Sequence, residues 1–130
     1  MDLKMKIWVV SVFSSEWEHD QLTGQTLRVY DEARIIGTFL TRSAAGRAMV
    51  QTKKYVNEYG ARRGFEEKAT SLAHGWTYEG RKLSEIDLYL FRSDNNYTKE
   101  KKKFLDVSIK MEQMSIGSVW KYGCYEDEES

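Results

Sequence analysis

From Thr41 to Gly60 the chain spaces its apolar residues for one face of a helix, and no other stretch restricts the possible folds as much. Ala45, Ala48, Met49, Thr52, Tyr55, Val56 and Tyr59 recur at intervals of three and four, while Arg47, Lys54 and Glu58 occupy the opposite side. The hydroxyl of Thr41 suits a helix start, because it accepts from a free N–H of the first turn. Gly60 suits a stop, because glycine enters the left-handed conformation without a Cβ clash. A helix is expected over Arg42–Tyr59. Its apolar stripe needs a surface to lie on, and the flanking sequence supplies strands.

Met5–Ser14 reads as a strand with two apolar faces, Ile7, Val9 and Phe13 against Trp8, Val10 and Val12, as in a central strand covered on both sides. Residues 14–24 read as a polar loop holding Trp17 and Leu22. Thr26–Tyr30 and Arg34–Phe39 read as two short strands parted by Asp31 and Glu32. After the helix, Phe65, Ala69, Leu72 and Ala73 are spaced for a second helix over Gly64–His74, ended by Gly75. Trp76–Glu79 is a possible strand before a turn at Gly80. Glu85–Arg92 alternates cleanly, and residues 93–96 form a turn cluster. Leu105, Val107, Ile109 and Met111 alternate as a strand, although Phe104, Val107, Met111 and Met114 also fit a helix over 101–114. Ile116–Tyr122 could add an edge strand. The expected fold class is α+β: an antiparallel sheet of five to seven strands interrupted by two helices, in the order βββ-αα-ββ(ββ). One domain is expected over residues 1–125, with a disordered acidic tail at 126–130.

The formal net charge is zero, which argues against a dedicated binder of long nucleic acid. Cys124 is the lone cysteine, so no internal disulfide forms. No apolar run reaches the roughly 18–20 residues of a membrane span. A cytoplasmic protein is expected, in the host cytoplasm if the chain is phage-encoded. The complete lack of proline in a lysine-rich chain is compatible with such a compact AT-rich genome.

Catalysis finds little support. Glu16, Glu18, His19 and Asp20 match no metal-ligand spacing and read as a solvated loop. His74 reads as a last-turn cation on the second helix. Cys124 lies beside acidic residues, which oppose thiolate formation, and Glu66 and Glu67 read as solubilising. We expect no enzyme, metal or cofactor. Gly37–Ser43 leads a strand into a helix but lacks the glycine spacing of a phosphate loop. Arg42, Ser43 and Arg47 could nonetheless hold an anion at the helix start.

The chain is rich in aromatics: eight tyrosines, five phenylalanines and four tryptophans. Trp17, Trp76, Tyr78, Trp120 and Tyr122 fall where burial is not demanded. Near them in sequence lie Arg62, Arg63, Arg81, Lys82, Arg92, Asn95 and Asn96. Rings stack on planar bases, arginines hold phosphates and asparagines read base edges. The same residue types also make protein-interface hot spots. The candidate ligand-binding residues are Arg42, Ser43, Arg62, Arg63, Trp76, Tyr78, Phe91, Arg92, Asn95 and Asn96.

The order of elements, with strands Ile7–Phe13, Thr26–Tyr30 and Ile35–Phe39, helices Arg42–Tyr59 and Phe65–His74, and strands Glu85–Arg92 and Leu105–Met111, resembles the phage proteins that block Thoeris defence by sequestering its cyclic ADP-ribose signal. The resemblance implies a non-enzymatic sponge holding a nucleotide at a homodimer interface. Val50, off the main apolar face, and the small Ala44 and Gly46 would allow two helices to approach. The alternative is a protein-binding inhibitor or adaptor of a mobile element, acting through an aromatic patch that includes Trp120 and Tyr122.

Overall fold

A computed structural model describes residues 5–76, 80–94, 101–115, 118–121 and 124–127. Two strands, β1 (Lys6–Asp20) and β2 (Thr26–Phe39), precede one helix, α1 (Arg42–Arg62). Three strands follow: β3 (Glu66–Trp76), β4 (Lys82–Asp94) and β5 (Lys101–Ser115). These five strands form one antiparallel sheet in the order β2-β1-β5-β4-β3. A short hairpin, β6 (Ser118–Lys121) with β7 (Cys124–Asp127), forms a separate sheet. Glu126 and Asp127, expected in the acidic tail, stand in β7. α1 carries the chain across one face, from the β2 edge to the β3 edge.

The α+β expectation with two helices in the order βββ-αα-ββ(ββ) is therefore corrected to a mostly β architecture with one helix among the described residues. Three local misreadings account for the difference. The stretch expected as the Gly64–His74 helix is β3. Its Glu, Lys and Ala residues favour a helix locally. The outer backbone groups of β4 nevertheless require a partner, and β3 supplies one from Glu66↔Phe91 to Trp76↔Lys82. Residues 14–20, expected as loop, continue β1. Their acids lie against the basic start of β5, with Glu18 opposite Lys103 and Asp20 opposite Lys101, and opposite charges across a ladder favour pairing. The two strands expected over 26–39 are one. Asp31 remains in the strand, accepting from Ser15 Oγ at 2.6 Å and from Arg28 at 2.9 Å. For residues 101–114 the strand alternative holds, as β5.

Period two along these strands sends Trp8 and Val10 of β1, Leu88 and Leu90 of β4, and Leu105, Val107, Ile109 and Met111 of β5 to one face. Ala45 and Met49 of α1 press on that face, and Phe65 packs in just beyond the helix. Val10 and Ile109 are fully buried at the centre. Thr41 caps α1 as expected: its backbone is extended and its Oγ1 accepts from Ala44 N at 3.1 Å.

The expected stop at Gly60 is not where the helix ends. Gly60 is helical and buried, and a Cβ there would lie 2.6 Å from Leu90 Cδ2. The left-handed residue is Gly64, with φ +83°. Phe65 N donates to Gly60 O at 2.8 Å, and Gly64 N donates to Ala61 O at 3.0 Å. That pair of bonds is the Schellman closure. It turns Phe65 into the core and starts β3. Among the described residues, no helix is long and apolar enough to cross a membrane.

Candidate functional site

α1 covers only part of its sheet face. Its inward stripe runs Ala45, Ala48, Met49, Thr52, Tyr55, Val56 and Tyr59, but Tyr55 remains 61% exposed and Tyr59 51%. Beside them, between the helix and the β1–β2 arm of the sheet, lies an open cleft of about 850 Å³. Its floor is apolar, made by Val12 of β1, Leu105 and Val107 of β5, and Ala48 and Val56 of α1. Strand β2 forms the far wall. Its alternation brings Tyr30, Glu32, Arg34 and Ile36 to the cleft.

Each charged group in the cleft has a partner there. Glu32 accepts from the Tyr30 hydroxyl at 2.9 Å and pairs with Arg34. The Tyr30 hydroxyl and the Arg34 guanidinium together hold the Glu32 carboxyl below the usual range. The same bond raises the Tyr30 phenol, which would have to ionise beside a carboxylate. At one end Arg63 lies 3.6 Å from Glu16 and over the rings of Tyr59 and Phe65, at 5.5 and 5.6 Å. Two carboxylates and two guanidiniums thus balance around an apolar floor and three tyrosines. Such a surface suits a planar, partly polar guest better than a bare anion.

Of the residues expected to bind, Arg63 lines this cleft. Arg92 joins it behind the wall, donating from Nη1 to Arg63 O at 2.9 Å and stacking over Phe65 at 5.1 Å. Arg62 is exposed in the last turn of α1. Arg42 and Ser43 stand at the other end of the helix, roughly 30 Å away at 1.5 Å per residue. There Arg42 lies over the Trp8 ring at 5.9 Å, and Ser43 Oγ accepts from Arg47 at 2.9 Å. Trp76 ends β3 and is 69% exposed. Phe91 lies on the opposite sheet face, 5.4 Å from Phe104, with Lys68 and Lys102 over its ring. Tyr78, Asn95, Asn96 and Tyr122 lie outside the described residues.

Sequence reasoning passed over Tyr30, Glu32, Arg34, Tyr55 and Tyr59 as site residues. The available signal was two tyrosines four apart on a helical stripe whose other members are Ala45, Ala48, Met49, Thr52 and Val56. They are too bulky to pack as Ala48 and Thr52 do.

The sheet face away from α1 holds a smaller hollow of about 340 Å³ lined by Phe13, Tyr89, Asp87, Asp106 and Ser108 among others. The Ser108 hydroxyl reaches both Glu85 and Asp87. Partial desolvation, reinforced by the neighbouring Asp87, pushes the Asp106 carboxyl up, although the residue itself stays exposed to solvent.

The two histidines are explained by strand pairing. His19 Nδ1 lies 2.7 Å from Thr26 Oγ1. His74, expected at a helix end, belongs to β3 and lies 3.1 Å from Ser84 Oγ. Ser84 is 3% exposed, so its hydroxyl is closed to a substrate. Alternation along β1 sends His19 to the face opposite Glu16, Glu18 and Asp20, which disperses that cluster. No group of three metal-ligating residues converges among the described residues. No protein-family model, no curated protein and no solved structure matches this chain.

Proposed function

We propose that this is a non-catalytic binding protein that holds a small molecule with a planar ring in the cleft between α1 and β2. The supporting observation is that Tyr55 and Tyr59 lie on the inward stripe of the helix yet remain more than half exposed. A ring seated there would bury tyrosine faces that the fold leaves wet, and stacking contributes about 0.5–1.5 kcal/mol per aromatic pair beyond area burial. Arg63 and Arg34 could each turn from a carboxylate of the cleft to an anionic group of the guest. A nucleotide such as a cyclic ADP-ribose isomer is the class we place first. The second helix of the sponge-like element order is β3 in this chain, and the cleft is what supports a nucleotide guest.

The test is calorimetric titration and thermal shift with a panel of nucleotides, including cyclic ADP-ribose isomers, followed by chromatography of the recovered ligand. Binding should weaken at least tenfold in Tyr59→Ala and in Arg63→Ala, and the ligand should return unchanged. Chemical conversion of the ligand would refute the non-catalytic reading. Absence of binding by every nucleotide would refute the class.

A further inference from the structure

β2 is a free edge of the sheet: among the described residues its one ladder partner is β1. Natural sheets guard such edges with charged side chains, above all lysine, and with proline, short length or bulges; the four charges of β2, Arg28, Asp31, Glu32 and Arg34, balance in sign and so can pair with a second copy. β2 runs for 14 residues and contains neither lysine nor proline. Irregularities in its register fall at Val29 and Ile36, leaving Tyr30–Ile35 regular between them. Val29 and Ile35 are 58% and 65% exposed. The opposite edge, β3, is guarded differently, with Lys68 at its register shift.

We propose that β2 pairs with β2 of a second copy, antiparallel about a two-fold axis through Ala33, so that two sheets join into one. Backbone geometry and charge select this register. In a strand the backbone groups of alternate residues point outward. Two antiparallel copies therefore satisfy one another only when the axis passes through a residue, not between residues. An axis through Asp31 or Glu32 sets a carboxylate against itself, and one through Arg34 sets guanidinium against guanidinium. Axes through Tyr30 or Ile35 run the ladder into an irregularity. An axis through Ala33 puts Glu32 opposite Arg34 of the second copy, twice, with a small residue at the centre.

The Glu32–Arg34 pair within each chain would then become a ring of four alternating charges, which favours this partner over others. Because Tyr30, Glu32 and Arg34 line the cleft, the two clefts would meet at the axis. The inference goes beyond the ligand reading and needs no ligand.

Sedimentation velocity and light scattering on the full chain, without ligand, test it over a concentration series. The wild type should show a dimer that dissociates on dilution. Arg34→Glu, at a side chain 70% exposed, should keep the circular dichroism of the folded protein. It should also weaken the dimer at least tenfold by facing carboxylates across the axis. The double exchange Glu32→Arg/Arg34→Glu restores complementarity and should restore the dimer. A wild type that remains monomeric to about 100 µM overturns the proposal and leaves the edge to a foreign strand. A dimer indifferent to Arg34→Glu, or one not rescued by the double exchange, overturns it equally.

Discussion

Replacing Gly64 by alanine tests how the helix is joined to the sheet. Gly64 has φ +83°, a conformation that costs an L-residue about 1–2 kcal/mol. The added Cβ would also lie 3.3 Å from Arg92 Cδ, tighter than an ordinary contact. It would press on the stem whose guanidinium bonds Arg63 O. Alanine restricts the unfolded chain, which returns roughly 0.4–1 kcal/mol. The net loss is therefore about 1 kcal/mol, or a fall in Tm of about 3–6 °C for a chain of this size. Asparagine tolerates the left-handed region better than alanine, so Gly64→Asn should recover part of the loss. Gly60→Ala should fail for a different reason. Gly60 is already helical, and its Cβ would meet Leu90 Cδ2 at 2.6 Å, so asparagine there should be worse than alanine. Differential scanning calorimetry of the four variants decides the matter. A neutral Gly64→Ala, or a Gly60→Asn better than Gly60→Ala, would refute this account of the helix end.

Three further outcomes follow from the packing and charges. Thr41→Ala removes the acceptor for Ala44 N and should cost about 1 kcal/mol in urea unfolding. Ile109→Ala, at a fully buried position of β5, should cost roughly 2–5 kcal/mol in the same assay. Asp106→Asn should make stability less dependent on pH. Partial desolvation raises this carboxyl above its ordinary value of 3.8, and, because the residue is exposed, solvent screening keeps the effect small. Its contribution is therefore favourable below that value and lost as pH rises through the higher folded-state value. The variant should melt slightly above the wild type at neutral pH, and the gap should close in acid. A constant gap, or one that widens in acid, would contradict the assignment.

The amphipathic stripe of α1 and its cap were legible because both are local: three-and-four spacing and a threonine hydroxyl suffice. The strands through Val10, Leu88 and Ile109 were legible for the same reason, since alternation is written in neighbouring residues. Their lengths were not. Residues 14–20 carry the polar composition of a loop, and what makes them strand is the basic start of β5, some eighty positions away in the chain. The reading of residues 64–74 failed in the opposite sense. Glu66, Lys68 and Ala69 favour a helix by themselves, and only the unpaired side of β4 makes them a strand. The cleft was beyond local reading too, because Tyr30 and Tyr59 meet only after the helix lies across the sheet. Sequence by itself determined which residues are apolar and with what period. Tertiary structure decided which backbone groups pair and which aromatics remain uncovered, because hydrogen-bond satisfaction and burial depend on partners distant in the chain.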